Sequence, residues 1–306
     1  MRAPTLPLPL DAIPTSVRGI TVGHIQLTAM RHRMLAVNAL YEGSPSPRAL
    51  EVFWIVLGAL VAHFEHGALS RKDIAARATG AISNATLSRA VRDAERLGLV
   101  TTRPSPTDSR SQIIMPRRRA IAYLLAPQRV RMAWAAYFDI LRKAFQDNPA
   151  TPEVHRPALA AWLENLQRLP TTSKAIITGK LQLKALERSL HILLRFRAPG
   201  DFSLAYETFW IVTEADIASI ENRIVTQKDL TARASGMFSA ATISRAITNA
   251  EAKNWITVVA AESDNRVRNL LPTAYALSDF WNQPRIDQAW REYLEIFTQV
   301  VPMTDR

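Results

Sequence analysis

The chain has 306 residues, 48% of them hydrophobic and 21% charged, a globular balance long enough for two ordinary domains. Lys and Arg outnumber Asp and Glu by 38 to 27, giving +11, which points to a polyanion partner: nucleic acid first, anionic membrane second. Cysteine is absent, which excludes disulfides, a thiol nucleophile, thiolate zinc and sulfur-based redox sensing.

Residues 1–19 are Pro-rich and read as a flexible arm without the apolar run of a signal peptide. The longest apolar run, 52–64, is too short to span a bilayer, so a cytoplasmic, nucleoid-associated location is expected. Residues 24–40 have helical apolar spacing, and 48–66 form a strongly apolar helix carrying Trp54. Ser70-x-x-Asp73 has the form of a capping box opening a short helix to about Ala78. A turn at Gly80 precedes a helix that starts near Ser83 or Asn84 and ends before Gly98, a suitable residue for the position after a helix. "LVTTRPS" and "SQIIMP" flank a polar tip and read as a β-hairpin. A last helix runs from about Pro127 to Phe145.

The same elements then recur. "GAISNATLSRAVRDAE" at 80–95 aligns without gaps to "GMFSAATISRAITNAE" at 236–251, an offset of 156 residues. From 51 to 116 there are 26 identities in 66 positions at that offset. Thr226-x-x-Asp229 repeats the capping box, and Asp264-x-Arg266 repeats Asp108-x-Arg110. The expected division is a repeat at 20–145, a linker with a short helix at 146–179, and a second repeat at 180–301.

Helix, turn, helix and hairpin make a winged helix-turn-helix, whose second helix fits the major groove of duplex DNA. Leu87, Val91, Ala94 and Leu97 share the inward face of that helix. Ser83, Asn84, Thr86, Ser88, Arg89 and Arg92 remain for the outer face, with Arg103 at the wing base and Arg110 at its tip. The second repeat offers Ser239, Thr242, Ser244, Arg245, Arg266 and Arg268. An Arg in this setting binds guanine or phosphate; the sequence leaves that open.

The phrase "TLSRAVRDAERLGLV" at 86–100, Asp108-x-Arg110 and "IIMP" resemble the MarR family of transcription regulators, in a tandem form similar to two-domain Sar-type proteins. The sequence departs from the family pattern at Ala94, at Ser109 and at Pro116, and Asn254-Trp255-Ile256 stands where the first repeat has Gly98-Leu99-Val100. The resemblance implies a mainly α fold with small β-hairpin wings. Two tandem winged helices would form a pseudo-two-fold dimer within one chain, and further dimerisation stays open. It also implies a bacterial regulator of an asymmetric, pseudo-palindromic duplex site. The family often senses small aromatic ligands, but no residue here identifies an effector.

Trp134, Trp290, Tyr137 and Tyr293 fall at matching positions and are expected in the interface or core, with a ligand pocket as the second reading. Residues 24–145 hold 18 basic and 8 acidic residues, whereas 180–301 hold 14 of each, so the first repeat should dominate phosphate attraction. No catalytic constellation, phosphate-binding glycine loop or cofactor motif is present. His63-x-x-His66 has helical metal-ligand spacing, but its counterparts are Ser219 and Asn222. Two other functions stay open: a plasmid or replication DNA-binding protein, and a winged-helix protein-interaction module that does not bind DNA.

Overall fold

The computed structural model describes residues 13–40, 48–65, 67–78, 82–106, 111–196, 204–234, 238–261 and 264–298. The first half runs α1 (Thr15–Leu40), α2 (Ala49–Phe64), β1 (Leu69–Ser70), α3 (Arg71–Ala78), α4 (Asn84–Arg96), β2 (Val100–Pro104), β3 (Gln112–Pro116), α5 (Arg118–Leu124) and α6 (Pro127–Arg142). A π-helical turn at Lys143–Asp147 and a 3-10 turn at Glu153–His155 lead to α7 (Arg156–Gln167). The second half runs α8 (Thr171–Phe196), α9 (Ala205–Ile220), β4 (Val225–Thr226), α10 (Gln227–Arg233), α11 (Ala240–Ala252), β5 (Ile256–Ala261), β6 (Asp264–Pro272), α12 (Ala274–Phe280) and α13 (Gln283–Thr298). The bounds of α1, α2, α4, α5 and α6 recur in α8, α9, α11, α12 and α13 at the 156-residue offset.

Each half carries a small lobe around an apolar helix. Helix α2 is buried from Val52 through Val61 because α1, α4, α8 and β3 all pack around it. Helix α9 occupies the same position in the second lobe, packed by α1, α8, α11 and β6. Each lobe has a three-stranded antiparallel sheet, in the order β1-β3-β2 and β4-β6-β5. The hairpins were expected, but the two-residue strands β1 and β4 were not. Both sit directly before capping boxes, and Ser70 N–H donates to Asp73 at 2.9 Å while Asp73 N–H donates back to Ser70 Oγ at 3.1 Å.

Between the lobes lies a helical layer in which the halves cross. Helix α1 packs on α8, α13 and α9, and α8 packs on α6 and α2. Trp134, Tyr137, Trp290 and Tyr293 are all buried in its core, with Ile25 of α1 and Leu181 of α8. Gln26 Nε2 donates to the Ala185 carbonyl at 2.7 Å and to Ser189 Oγ at 2.6 Å, while its Oε1 accepts from Tyr293 OH at 2.7 Å. A buried amide that satisfies three partners from two other helices fixes their register.

One boundary needs correction. Helix α1 begins at Thr15, and Ile13 and Val17 are buried, so 13–19 belong to the fold rather than to an arm; residues 1–12 lie outside the described residues. The short helix expected in 146–179 is α7, and the stretch packs into the fold as well as joining the repeats. Its α7 buries Leu159, Trp162, Leu163 and Leu166, and α8 begins inside it at Thr171. Trp162 meets Phe145 at 5.8 Å and Phe297 at 6.3 Å between ring centroids, joining the two last helices through an insert.

Candidate nucleic-acid interface

Helix α4 starts because Ser83, with extended backbone, accepts from Thr86 N–H at 3.1 Å. It stops because Gly98 sits at φ +68°. There the Leu99 N–H bonds the Ala94 carbonyl at 3.0 Å and the Gly98 N–H bonds the Glu95 carbonyl at 2.9 Å. Helix α11 is cut the same way. Ser239 accepts from Thr242 N–H at 3.1 Å, and Asn254 takes the left-handed position at φ +57°. Asn tolerates that conformation better than other side chains, so the Asn254 departure seen in the sequence preserves the helix end.

Leu87, Ala90, Val91 and Ala94 are buried beneath α4, while Leu97, expected with them, is half-buried. Ser83, Asn84, Arg89 and Arg92 are exposed, and Thr86 and Ser88 are half-buried. The Ser83 and Thr86 hydroxyls lie 2.9 Å apart and are engaged in the cap, which limits what else they can bond. The Nε atoms of Arg89 and Arg92 fold back to the carbonyls of Ala85 and Ser88 at 3.3 and 3.4 Å, leaving both guanidiniums at the surface. On α11, Ser239, Ser244 and Arg245 are exposed and Thr242 is half-buried. Arg268 is exposed on β6, whereas Arg110 and the Arg266 side chain lie outside the described residues.

Arg103 is not on the same surface as Arg89 and Arg92. Thr102 turns toward α4, its N–H and hydroxyl donating to Glu95 Oε1 at 3.0 and 2.8 Å. Strand alternation therefore turns Arg103 to the opposite face of the sheet, beside Thr101 and Met115. There it lines an open concavity of about 560 Å³ with Arg117, Arg118 and Arg119.

The residues that set the angle of α4 were not foreseen. Asp93 is buried, and its two carboxylate oxygens accept from Arg48 Nε at 2.6 Å and Arg96 Nη2 at 2.9 Å. In the second lobe Asn249 replaces that acid and donates to Thr208 Oγ1 at 2.8 Å. An acid inside an apolar arc was the available signal, but its partner lies 45 residues away.

A partly open cavity of about 110 Å³ lies between α1, α9, α12 and α13, lined by Gly23, Phe209, Thr213, Asp216, Trp255 and Phe280 among others. Asp216 Oδ1 is buried without a hydrogen-bond partner. Burial, and then the nearby Asp279 charge, push its carboxyl up to about 8. Among the described residues no group of three or more His, Asp or Glu could hold a metal, and His66 lies outside them. No helix among the described residues is long and apolar enough to cross a membrane.

A capped helix pair followed by an antiparallel hairpin, with the second helix offering an exposed polar face, is a winged helix-turn-helix. Residues 54–111 match the model of the MarR family, from Trp54 in α2 through α3, α4 and β2 to the wing tip. The first lobe is therefore similar to the winged helices of the MarR family, a family of DNA-binding transcription regulators. Comparison with curated proteins finds no match to the chain.

Proposed function

We propose that the chain is a cytoplasmic, nucleoid-associated transcription regulator that binds duplex DNA through two recognition helices, α4 and α11. It is a regulator, not an enzyme. In this reading Asn84, Ser88, Arg89 and Arg92 face one half-site, and Ser244, Arg245 and Arg268 face the other. The two lobes act as the halves of a pseudo-two-fold dimer made by one chain. The observation that carries the reading is reciprocity. His24 of α1 meets Glu221 at the end of α9, and Lys180 of α8 meets Glu65 at the end of α2. Both members of each pair are related by the 156-residue offset, and residue i meeting j while j meets i marks an isologous interface.

The site read is asymmetric. The basic excess lies in the first repeat, so phosphate attraction is concentrated on that half. The test is binding of duplexes selected from a random pool, measured against salt concentration. Affinity should fall steeply with salt, and Arg89→Ala should reduce it. Binding that ignores both salt and Arg89 would favour a protein-interaction module instead.

The cavity at Asp216 supports a second element, a small-molecule effector site confined to the second half. At the counterpart positions of the first lobe, buried Leu57 and Leu60 stand in place of Thr213 and Asp216. A ligand there should raise the unfolding temperature of the full chain but not of an Asp216→Leu variant.

A further inference from the structure

The cavity beside Asp216 departs from its first-repeat counterpart in one chemical direction. At the 156-residue offset, Thr213, Asp216, Trp255 and Phe280 stand where the first repeat has Leu57, Leu60, Leu99 and Leu124. Those four leucines are all buried in the first lobe. In the second lobe the same positions offer a hydroxyl, a carboxyl and two aromatic rings, and Phe209 adds a third ring.

The charges on the cavity wall are unevenly matched. Arg285 Nη1 donates to Asp279 at 2.8 Å and Arg188 Nη1 donates to Glu292 at 2.9 Å, so each guanidinium has its own carboxylate. Asp216 is 4% exposed, and its Oδ1 accepts no hydrogen bond. The neighbouring charge that acts on it, Asp279, has the same sign. A buried acid oxygen without a donor is costly, and such an atom calls for a molecule that completes it. The Thr213 hydroxyl donates to the Phe209 carbonyl at 2.8 Å, which leaves its oxygen as a further acceptor. Aromatic faces attract cations through their quadrupoles. Acid, hydroxyl oxygen and rings therefore all favour a positively charged N–H donor.

We infer that this cavity takes a small organic cation, an alkylammonium or amidinium, with its N–H groups on Asp216 and Thr213 and its carbon body against Phe209, Trp255 and Phe280. This rests on the effector-site reading above and names the chemical class of the ligand. The volume of about 110 Å³, against about 150 Å³ for a cavity that holds benzene, sets the enclosed part at about five non-hydrogen atoms. Without a cation, the Asp216 carboxyl, pushed up to about 8 by burial, keeps its proton at neutral pH. An entering ammonium keeps its own protons, so the carboxyl ionises and its proton passes to solvent. A neutral ligand would leave that proton in place.

The experiment titrates the full chain calorimetrically with isobutylammonium, isobutanol and isobutyrate, compounds of similar shape and different charge. Two buffers of different ionisation enthalpy at neutral pH report the protons released. The ammonium alone should bind, releasing close to one proton per molecule, and the release should fade above the Asp216 titration. Asp216→Asn should weaken the ammonium at least about tenfold and abolish the release. Thr213→Leu, which copies Leu57 and fills the space, should abolish binding of every compound. Thermal melts confirm that both variants fold. The inference is overturned if isobutanol or isobutyrate binds as tightly as the ammonium, if Asp216→Asn keeps its affinity, or if binding releases no proton. Where such binding is still lost in Thr213→Leu, the effector site stands with a ligand of another class. If none of the three binds the wild-type chain, the cation assignment and the effector site fall together.

Discussion

Lys180 of α8 pairs with Glu65 at the end of α2, joining a helix of the second half to the lobe of the first. The Lys180 side chain is 13% exposed and Glu65 is 44% exposed, so the pair is partly screened. Reversing either charge alone should destabilise the chain by about 1 kcal/mol, and the double reversal Glu65→Lys, Lys180→Glu should recover at least half of the loss. Urea unfolding of the four proteins checks it. No recovery in the double variant would show that α8 does not hold the first lobe through this contact.

Arg48→Ala should cost about 1–3 kcal/mol, because Asp93 stays buried after losing the shorter of its two charged hydrogen bonds. Since Asp93 sets the position of α4, DNA affinity should fall with stability even though Arg48 lies outside the proposed contact face. An equilibrium unfolding curve together with duplex titration separates the two effects. Unchanged unfolding would remove Arg48 from the account.

The asymmetry of charge predicts unequal half-sites. Arg89→Ala should weaken duplex binding more than Arg245→Ala at fixed salt. One lost phosphate contact should also reduce the log–log salt slope by about 0.9. Equal losses in a gel-shift series would count against a dominant first half.

Gly98→Ala should destabilise by about 1–2 kcal/mol, the cost of a side chain in the left-handed region. The added Cβ meets nothing within 4 Å, so the cost is conformational rather than steric. Asn254→Gly, at φ +57°, should be neutral or slightly stabilising. Thermal melts of both variants test the pair, and a neutral Gly98→Ala would contradict the φ assignment.

Buried Asp216 and half-buried His32 shape the response to pH. Burial, with Arg129 and Arg31 adding to it, lowers His32 from 6.5 to about 4. The unfolded chain therefore binds the extra proton between about pH 4 and 6.5, and this residue makes stability rise with pH there. Asp216 is raised from 3.8 to about 8, so the native state binds the extra proton and stability falls as pH rises through that window. From these two groups stability should be nearly flat from about pH 4 to 6.5, then fall toward pH 8 by up to about 1.4 kcal/mol per unit. Asp216→Leu, which copies Leu60 of the first lobe, should remove the fall and reveal the rise. Urea unfolding across pH distinguishes them; a wild-type curve that rises between pH 6.5 and 8 would contradict the assignment.

Local chemistry made much of the fold legible. The capping boxes at Ser70 and Thr226, the Ser83 cap and the Gly98 stop are short-range signals, and each lies where its pattern placed it. The face of α4 was readable because apolar spacing separates Leu87, Val91 and Ala94 from Arg89 and Arg92. Long-range partners were not readable. Nothing local says that Arg48 reaches Asp93, that Gln26 bonds Tyr293, or that Trp162 of the linker fills a core between the last helices. The sequence put Arg103 on the wing, where it lies, but strand register, which is not readable locally, decides which face it takes.

The central claim is that one chain supplies both reading heads. Native mass spectrometry of the full chain on its minimal selected duplex tests it most directly. The account predicts one chain per duplex, with half-sites about 34–36 Å apart and binding lost in steps on Arg245→Ala and Arg89→Ala. Two chains per minimal duplex, each bound through α4 alone and indifferent to Arg245, would contradict it.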